Sequence, residues 1–274
     1  MFKISGKENL AKEIILLEVE APQIADKAKA GQFVKIILGE KGESIPLTLA
    51  DWDKTKGTIT LIFQKVGLTT KTLSSLEPGD NINHILGPLG HPSEITKSSE
   101  IYCIGGGVGI AELHPIARAF KQAGNRVISI IGSRTKELII LENQLRKFSD
   151  ELFIATDDGS YGKKGFVTDI LRELFEAIEK STHTKYPEEV YAVGPVKMMK
   201  AVADFTRGYQ VKTMVSVNPI MVDATGMCGA CRCTVAGKTV FGCVDGPDFD
   251  AHTLDFDGLE KRLNSFKTQE NKIK

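Results

Sequence analysis

The spacing of hydrophobic residues divides the chain into an N-terminal part rich in short strands and a middle part in which strands alternate with helices. Before residue 98, short β-prone runs at residues 14–19, 33–38 and 58–63 are separated by glycine-containing turns. Regularly spaced short strands with such turns are typical of a small antiparallel barrel. Residues 1–97 are therefore predicted to form an antiparallel β-barrel.

Residues 98–217 combine β-prone runs with amphipathic helical patterns. The apolar residues Ile110, Leu113, Ala117 and Phe120 recur at the spacing that places them on one face of a helix. A second helical pattern covers residues 166–174, and Pro195 opens a third helix at a favourable N-terminal position. The predicted strands between them are residues 100–104, 126–131, 152–156 and 189–193. This alternation predicts a Rossmann-like α/β domain with a parallel sheet.

The segment from residue 218 to residue 274 contains four of the five cysteines and is predicted to be a small C-terminal iron–sulfur domain. Plant-type [2Fe–2S] sites use the pattern Cys-x4-Cys-x2-Cys with a distant fourth cysteine. This chain has aspartate in the first position: Asp223 is followed at that spacing by Cys228 and Cys231, and Cys243 comes later. Because a carboxylate oxygen can bind ferric iron, these four residues are the predicted cluster ligands.

Two other interpretations of the cysteine segment remain open at the level of sequence. Cys228, Cys231 and Cys243 could hold a structural zinc ion together with Cys233 or Asp223. The cysteines could also be buried free thiols. In a strand, Cys233 would point to the same face as Cys231, so it could replace Asp223 as the fourth ligand.

Glycine-rich turns at the ends of predicted strands indicate a nucleotide site. Gly105, Gly106, Gly107 and Gly109 lie between a strand and a helix, where glycines allow a diphosphate to approach the backbone and the helix N-terminus faces its charge. Such a turn can also be a tight corner without a ligand.

Two further loops follow predicted strands and add nucleotide-contact candidates. Gly194 and Pro195 begin a loop at the carboxyl end of the strand at residues 189–193, the edge at which open α/β sheets bind ligands. Residues 156–162 are rich in aspartate and glycine, which favours a surface turn. Asp157 of this turn is kept as a candidate contact.

Two hydroxyl-rich segments of the barrel are candidates for binding a flavin or a phosphate. The first comprises residues 46–48, and the second comprises residues 67–73, in which hydroxyl groups and a lysine follow a glycine. Threonine is also common in strands without a binding role. The candidate residues are Pro46, Leu47, Thr48, Gly67, Thr69, Thr70, Lys71 and Thr72.

Composition limits the classes of function. Lys and Arg together number 35, as do Asp and Glu, so no basic excess indicates nucleic-acid binding. No apolar run approaches the roughly 20 residues of a membrane span. No signal-peptide pattern opens the sequence, and the unpaired Cys103 favours a reducing compartment. A cytoplasmic location is therefore expected.

The barrel, the glycine loop and the cysteine spacing together resemble the ferredoxin–NADP⁺ reductase superfamily. Within it, the chain is similar to the electron-transfer subunits of class B dihydroorotate dehydrogenases. It is more similar to the small subunits of NADH-dependent reduced ferredoxin:NADP⁺ oxidoreductases, also known as sulfide dehydrogenases. The resemblance covers essentially the whole chain and is most specific over residues 218–223, 226–232 and 243–247. In those small subunits an aspartate is the fourth cluster ligand, which favours them over the dihydroorotate family, where a cysteine holds that position.

The resemblance implies bound FAD, one [2Fe–2S] cluster and NAD(H), with electrons passing between them to a larger flavin and iron–sulfur subunit. The family flavin motif aligns with residues 45–48, but its arginine is replaced by Ile45. Ser133 and Arg134 lie where the family selects between NAD and NADP, and Ala111 is followed by Glu112 where the family has proline. No catalytic acid or base is implied.

The resemblance leaves the identity of the partner open. The favoured complex is an electron-bifurcating oxidoreductase, and the alternatives are a class B dihydroorotate dehydrogenase and a non-catalytic iron–sulfur module. The segment from Asp245 to Asp257 contains Phe249, Leu254 and Phe256 among five aspartates. It is predicted to form a partner-docking surface with an apolar centre and a charged rim, unless these apolar residues pack the segment onto its own domain.

Overall fold

The computed structural model describes residues 1–39, 43–181 and 185–267 of the 274-residue chain. These residues form two compact units that are discontinuous in sequence. The first contains Met1–Ser93, Val217–Asp248 and the segment from Leu254, and the second contains Glu94–Ser216 and Phe249–Thr253. The domain boundaries predicted after residues 97 and 217 separate regions of different expected function, and they stay a prediction.

Seven strands of the first unit form one antiparallel sheet, which confirms the predicted antiparallel β-barrel. They are β1 (Phe2–Ala11), β2 (Ile14–Glu20), β3 (Phe33–Ile37), β4 (Ser44–Asp53), β5 (Thr58–Gln64), β6 (Asn81–Ile82) and β7 (His84–Leu89). Their order in the sheet is β6-β1-β2-β5-β4-β3-β7, and all neighbouring pairs are antiparallel. Two short helices, α1 (Pro22–Lys27) and α2 (Leu68–Ser74), lie between strands.

The barrel core is built from alternate residues of its strands, because successive side chains of a strand point to opposite faces. Leu17 of β2, Val34 of β3 and Leu61 of β5 are completely buried. The pattern of hydrophobic residues located β2, β3 and β5 but not β1. Only Ile4 of β1 is buried, and polar residues occupy much of the rest, so β1 lacks a clear hydrophobic signal.

The second unit alternates strands and helices as predicted. Its strands are β8 (Glu100–Gly106), β9 (Arg126–Ser133), β10 (Glu151–Thr156), β11 (Lys163–Lys164), β12 (Glu189–Val193) and β13 (Lys212–Ser216). Its helices are α3 (Ile110–Gln122), α4 (Glu142–Arg146), α5 (Val167–Glu179) and α6 (Val196–Arg207). The predicted face of α3 is confirmed, since its four apolar residues are all buried.

The C-terminal segment contributes to both units. Strands β14 (Arg232–Val235) and β15 (Lys238–Phe241) form an antiparallel hairpin, which is followed by β16 (Asp248–Asp250) and helix α7 (Phe256–Leu263). Strand β16 ends the sheet of order β11-β10-β9-β8-β12-β13-β16, in which the pairings from β11 to β13 are parallel. None of the helices in the described residues has the length and apolar character needed to cross a bilayer.

The strand order places a topological switch point between β8 and β12. From β8 the chain proceeds to β9 and β10 on one side, and it then returns to β12 and β13 on the other side. In open α/β sheets, ligands bind outside the carboxyl ends of the strands at such a point.

Candidate functional site

Two glycine loops are in close contact at the switch point. A Cβ atom on Gly109 would lie 2.7 Å from the Val193 carbonyl oxygen and 2.8 Å from the Gly194 Cα. Gly194 has φ +152°, and a Cβ there would lie 2.9 Å from the Gly106 carbonyl oxygen. Only glycine fits these positions, and α3 begins directly after the first loop. The backbone therefore forms a cradle that suits a diphosphate group at a helix N-terminus.

The predicted nucleotide residues at the ends of β9 and β10 are brought together by backbone hydrogen bonds. The Asp157 N–H donates to the Ser133 carbonyl oxygen at 3.1 Å, and the Asp158 N–H donates to the Arg134 carbonyl oxygen at 3.3 Å. The side chains of Arg134 and Asp157 are exposed. The turn predicted at residues 156–162 therefore lies beside the loop that carries Arg134.

Lys136 is a cation in this region that the sequence did not indicate. Its ammonium lies 5.1 Å from the centre of the Tyr161 ring, and its backbone N–H donates a hydrogen bond to the Ser160 hydroxyl at 2.8 Å. A single lysine between strands carries no recognisable motif, so its contacts with Tyr161 and Ser160 become visible only in the fold.

On the opposite side of the switch point, Glu112 and Ser216 form a hydrogen bond in which the serine hydroxyl donates to the carboxylate. Glu112 lies in the first turn of α3, and Ser216 is the buried last residue of β13. Sequence alone did not pair these residues, although the occurrence of glutamate after Ala111 was an available signal.

The first predicted flavin segment lies on β4 beside β3. Pro46, Leu47 and Thr48 are opposite Lys35, Val34 and Phe33 in the strand register, and all three are partly buried. Leu47 packs against the barrel core. This segment therefore has a fixed backbone at the surface of the barrel.

The second predicted flavin segment consists of Gly67, which precedes α2, and nearly all of that helix. The Thr70 hydroxyl accepts the Gly67 N–H at 3.0 Å, and the Thr72 hydroxyl donates to the Leu68 carbonyl oxygen at 3.1 Å. Thr69 is buried, whereas Lys71 is exposed. Local hydrogen bonds thus engage two of the hydroxyls that the sequence offered as ligand contacts, and Lys71 projects from the helix into solvent.

Two predicted cluster ligands are adjacent in the cysteine segment. The sulfur atoms of Cys231 and Cys243 are 3.2 Å apart, and both residues are buried. The Cys243 N–H points at the Cys231 sulfur at 3.4 Å, and the Ala230 N–H points at the Cys228 sulfur at the same distance. Hydrogen bonds from backbone N–H groups to sulfur are among the contacts that tune iron–sulfur clusters.

The carboxylate of Asp223 organises the loop that leads to Cys228. It accepts hydrogen bonds from the N–H and hydroxyl of Thr225 and, at 2.6 Å, from the Cys228 N–H. The Thr225 N–H is the main cause that lowers the pKa of Asp223 to about 2. Asp223 is thus an anionic side chain in the same loop as Cys228, and its carboxylate contacts the Cys228 N–H.

Burial has the opposite effect on two thiols of this segment. Burial, reinforced by the Cys231 thiol, raises the pKa of Cys243 to about 12, and burial raises the pKa of Cys233 to about 11. A thiol binds a metal as the thiolate, and a bound cation supplies the charge that stabilises this form. Cys233 also points its sulfur towards the Cys231 carbonyl oxygen, 3.6 Å away.

The predicted ligands do not all converge. In the described ranges, no three or more histidine, cysteine, aspartate or glutamate side chains are grouped around a common cation position. The donor set nevertheless fits an iron–sulfur cluster, because it combines a buried thiol pair with an exposed thiol and a carboxylate. Gly226 and Gly229 have φ +88° and +65°, so the loop adopts turns that other residues disfavour.

The cysteine segment is held against the outer side of the barrel. Cys231 and Cys243 pack in one apolar cluster with Phe33, and Met221 and Ala224 belong to the same cluster. The Lys35 ammonium donates to the Asp223 carbonyl oxygen at 2.8 Å. The cluster segment therefore depends on β3 for its position.

The predicted docking surface at Asp245–Asp257 is wrong in its apolar part. Phe249, Leu254 and Phe256 are 6–7% exposed, because they pack the segment into the fold. Three of the exposed apolar side chains lie in the cysteine segment instead: Met227 is 89% exposed, and Val222 and Val244 are also exposed. Met227 is adjacent in sequence to the exposed Cys228.

Family models match two parts of the chain. Residues 218–255 match the iron–sulfur cluster binding domain of dihydroorotate dehydrogenase B. Residues 103–204 match the oxidoreductase NAD-binding domain. The presence of an iron–sulfur binding domain and of an NAD-binding domain is thereby confirmed.

Similar proteins cover nearly the whole chain. The chain is 45% identical to a Thermotoga maritima homologue of the electron transfer subunit of dihydroorotate dehydrogenase B (NAD⁺), over 98% of this chain and 92% of the homologue. It is 30% identical to the corresponding subunit of Fusobacterium nucleatum, over 90% and 95%. A chain in the solved structure of an NADH-dependent reduced ferredoxin-NADP oxidoreductase, studied for flavin-based electron bifurcation, shares 44% identity, with a TM-score of 0.92 and coverage of 99% and 95%.

We expect Gly109→Ala to lower the free energy of unfolding by about 1–3 kcal/mol, because the added Cβ would overlap backbone atoms that have little room to move. Chemical denaturation of the protein measures this change. Gly208→Ala is the matched control, since Gly208 has a helical φ of −62° and an added Cβ would meet only the Phe205 carbonyl oxygen, at 3.6 Å. Equal stability of the two variants would contradict the close contact of the loops.

Proposed function

The chain belongs to the family of electron transfer subunits of dihydroorotate dehydrogenase B, and from this premise we propose that it transfers electrons between NAD(H), FAD, a [2Fe–2S] cluster and a larger partner subunit. The observation that carries the proposal is the buried Cys231–Cys243 pair, with its N–H···S contacts, held against a reductase-type barrel. The protein is an oxidoreductase subunit in which orientation and tuning of the cofactors are the contribution of the chain.

Within the family, two observations favour an electron-bifurcating NADH-dependent ferredoxin:NADP⁺ oxidoreductase. The first is the 44% identity over 99% of the chain to a subunit of such an enzyme. The second is Asp223 at the first ligand position, because the small subunits that the chain resembles have an aspartate ligand there. The electron transfer subunit of a class B dihydroorotate dehydrogenase is the alternative, and it is supported by the match of residues 218–255.

We also propose a cytoplasmic location.

In this proposal, each of the three sequence regions binds a different cofactor. Residues 1–97 bind FAD, residues 98–217 bind NAD(H), and residues 218–274 contain the cluster and the tail. When bound, the flavin would couple the two-electron chemistry of the nicotinamide to the one-electron chemistry of the cluster. The barrel segments at residues 46–48 and 67–72 hold the flavin, with Lys71 offering a positive charge to its diphosphate.

The nucleotide site is assigned to the carboxyl edge of the parallel sheet. Gly105, Gly106, Gly107 and Gly109 hold the diphosphate together with the loop that begins at Gly194 and Pro195. Ser133, Arg134 and Asp157 surround the adenosine ribose at the ends of β9 and β10. The cluster ligands are assigned to Asp223, Cys228, Cys231 and Cys243.

NADH is expected to be preferred over NADPH as the electron donor, in line with the similar NADH-dependent enzyme. Arg134 and Lys136 are the exposed cations that could instead hold a 2′-phosphate. The rates of flavin reduction by the two nucleotides, measured by stopped-flow absorbance, test the preference. A strong preference for NADPH that is lost in Arg134→Ala would contradict it, and Lys180→Ala, at the exposed end of α5, is the control for a general effect of charge.

Asp223→Asn separates the two roles of Asp223 in the cluster loop. The asparagine oxygen can still accept the N–H bonds of Thr225 and Cys228, but it lacks the negative charge of a ligand. We expect Asp223→Asn to lose most of the cluster absorbance and Asp223→Cys to retain it with a changed potential. Iron and acid-labile sulfide analysis with visible and EPR spectra provides the measurement.

Cys233→Ala is the matched control for the fourth ligand, and it is expected to keep the cluster. If Cys233→Ala lost the cluster while both Asp223 variants kept spectrum and potential unchanged, Cys233 would be the ligand. One zinc per chain with neither iron nor labile sulfide would overturn the cluster assignment itself.

We propose that the larger subunit docks on the exposed apolar patch around the cysteine loop, formed by Val222, Met227 and Val244. An apolar centre beside the exposed Cys228 suits a stable interface across which electrons leave the cluster. This patch replaces the docking surface expected from residues 245–257.

Met227→Glu is expected to dissociate the natively expressed heteromer, because a buried unpaired carboxylate is costly at an interface. Met227→Leu, which keeps an apolar side chain, is expected to preserve the heteromer. Size-exclusion chromatography with the visible spectrum distinguishes loss of the partner from loss of the cluster. A heteromer that tolerates Met227→Glu, or an unmodified monomer with complete turnover of both physiological substrates, would exclude this interface.

A further inference from the structure

Glu112 has a negatively charged side chain close to the proposed diphosphate site, where a negative charge opposes diphosphate binding. It lies in the first turn of α3, immediately after the glycine loop. An acidic side chain there is favourable for the helix, but it repels an anion bound at the same N-terminus. The hydroxyl of Ser216, at the end of β13, donates a hydrogen bond to this carboxylate.

The strand register shows where this carboxylate is held. Gly105 of β8 is opposite Val193 of β12, and Val193 is opposite Ser216 of β13. These three residues therefore form one row across the carboxyl edge of the sheet. The side chain of Glu112 extends from the helix that follows β8 to the end of β13, past the end of β12.

Val193 and Ser216 of this row lie on the β12–β13 side of the switch point, opposite to the loop of Arg134. A dinucleotide that crosses the switch point places its two halves on the two sides. With the adenosine half at the ends of β9 and β10, the nicotinamide half belongs at the ends of β12 and β13. The Glu112–Ser216 pair is on that side. This placement rests on the proposed NAD(H) site.

We propose that Glu112, oriented by Ser216, determines the preference of the site for the oxidised nucleotide over the reduced one. The nicotinamide ring has a positive charge in NAD⁺ and no charge in NADH, whereas the diphosphate is the same in both. A nearby carboxylate therefore stabilises bound NAD⁺ selectively. Because tighter binding of the oxidised form lowers the reduction potential of the bound pair, the residue makes bound NADH a stronger electron donor.

The ratio of two dissociation constants isolates this effect. Repulsion of the diphosphate weakens both nucleotides equally and cancels in the ratio Kd(NAD⁺)/Kd(reduced form). As the reduced form we choose 1,4,5,6-tetrahydro-NAD, whose ring is uncharged and does not reduce a flavin. Isothermal titration of the oxidised full-length protein, with its cofactors bound, gives both constants.

In Glu112→Gln the ratio is expected to rise about fivefold, which is the size of a single charge interaction in a partly solvated site. Glu112→Asp keeps the charge and is expected to leave the ratio within about twofold. Ser216→Ala frees the carboxylate, so the ratio is expected to rise by less than in Glu112→Gln. Unchanged melting temperatures identify the variants that remain folded.

A parallel change of both constants in Glu112→Gln, or no change in either, would overturn the proposal, because Glu112 would then act on the diphosphate or on the fold alone. Failure of the unmodified protein to bind either nucleotide would have a different meaning. It would contradict the NAD(H) site on which the inference rests.

Discussion

The alternation of side chains along β3 is the constraint on which the first unit depends. Val34 and Ile36 point into the barrel and belong to its core. Phe33 and Lys35 point to the other side, where Phe33 packs with Cys231 and Cys243 and Lys35 binds the backbone of Asp223. Because the period of a strand is two residues, a register shift of one would exchange these sets. The same five-residue strand therefore determines both the barrel core and the position of the cluster ligands.

Much of the fold could be predicted because its signals are local. The change of hydrophobic period located β2, β3 and β5 in the barrel, and it identified α3 and the strands around it. Strand β1 was missed because its sequence is largely polar. Its extended conformation is stabilised by pairing with β2 along most of its length. Phe249 and Phe256 were predicted at a surface because sequence gives hydrophobicity but not the neighbours that bury a side chain.

The parts of the candidate site that could be predicted are those whose residues lie close together in one sequence segment. The glycine loop and the spacing of Asp223, Cys228 and Cys231 are short patterns with a direct physical reason. The pair Glu112–Ser216 joins residues 104 positions apart, so it follows only from the order of the strands. The hydrogen bonds of Asp223 were equally hidden, since they depend on the turn that brings the Thr225 N–H back to the carboxylate.

The position of β16 has a consequence for biosynthesis. The second unit contains Glu94–Ser216, but Phe249–Thr253 completes it, and Ala251 donates a backbone hydrogen bond to Thr213 on β13. While the ribosome extends the chain, the outer edge of β13 stays uncovered until residue 251 has emerged. An uncovered edge strand is a site for pairing with other chains. Until β16 has paired with β13, this edge of the nascent polypeptide is therefore open to pairing with another chain.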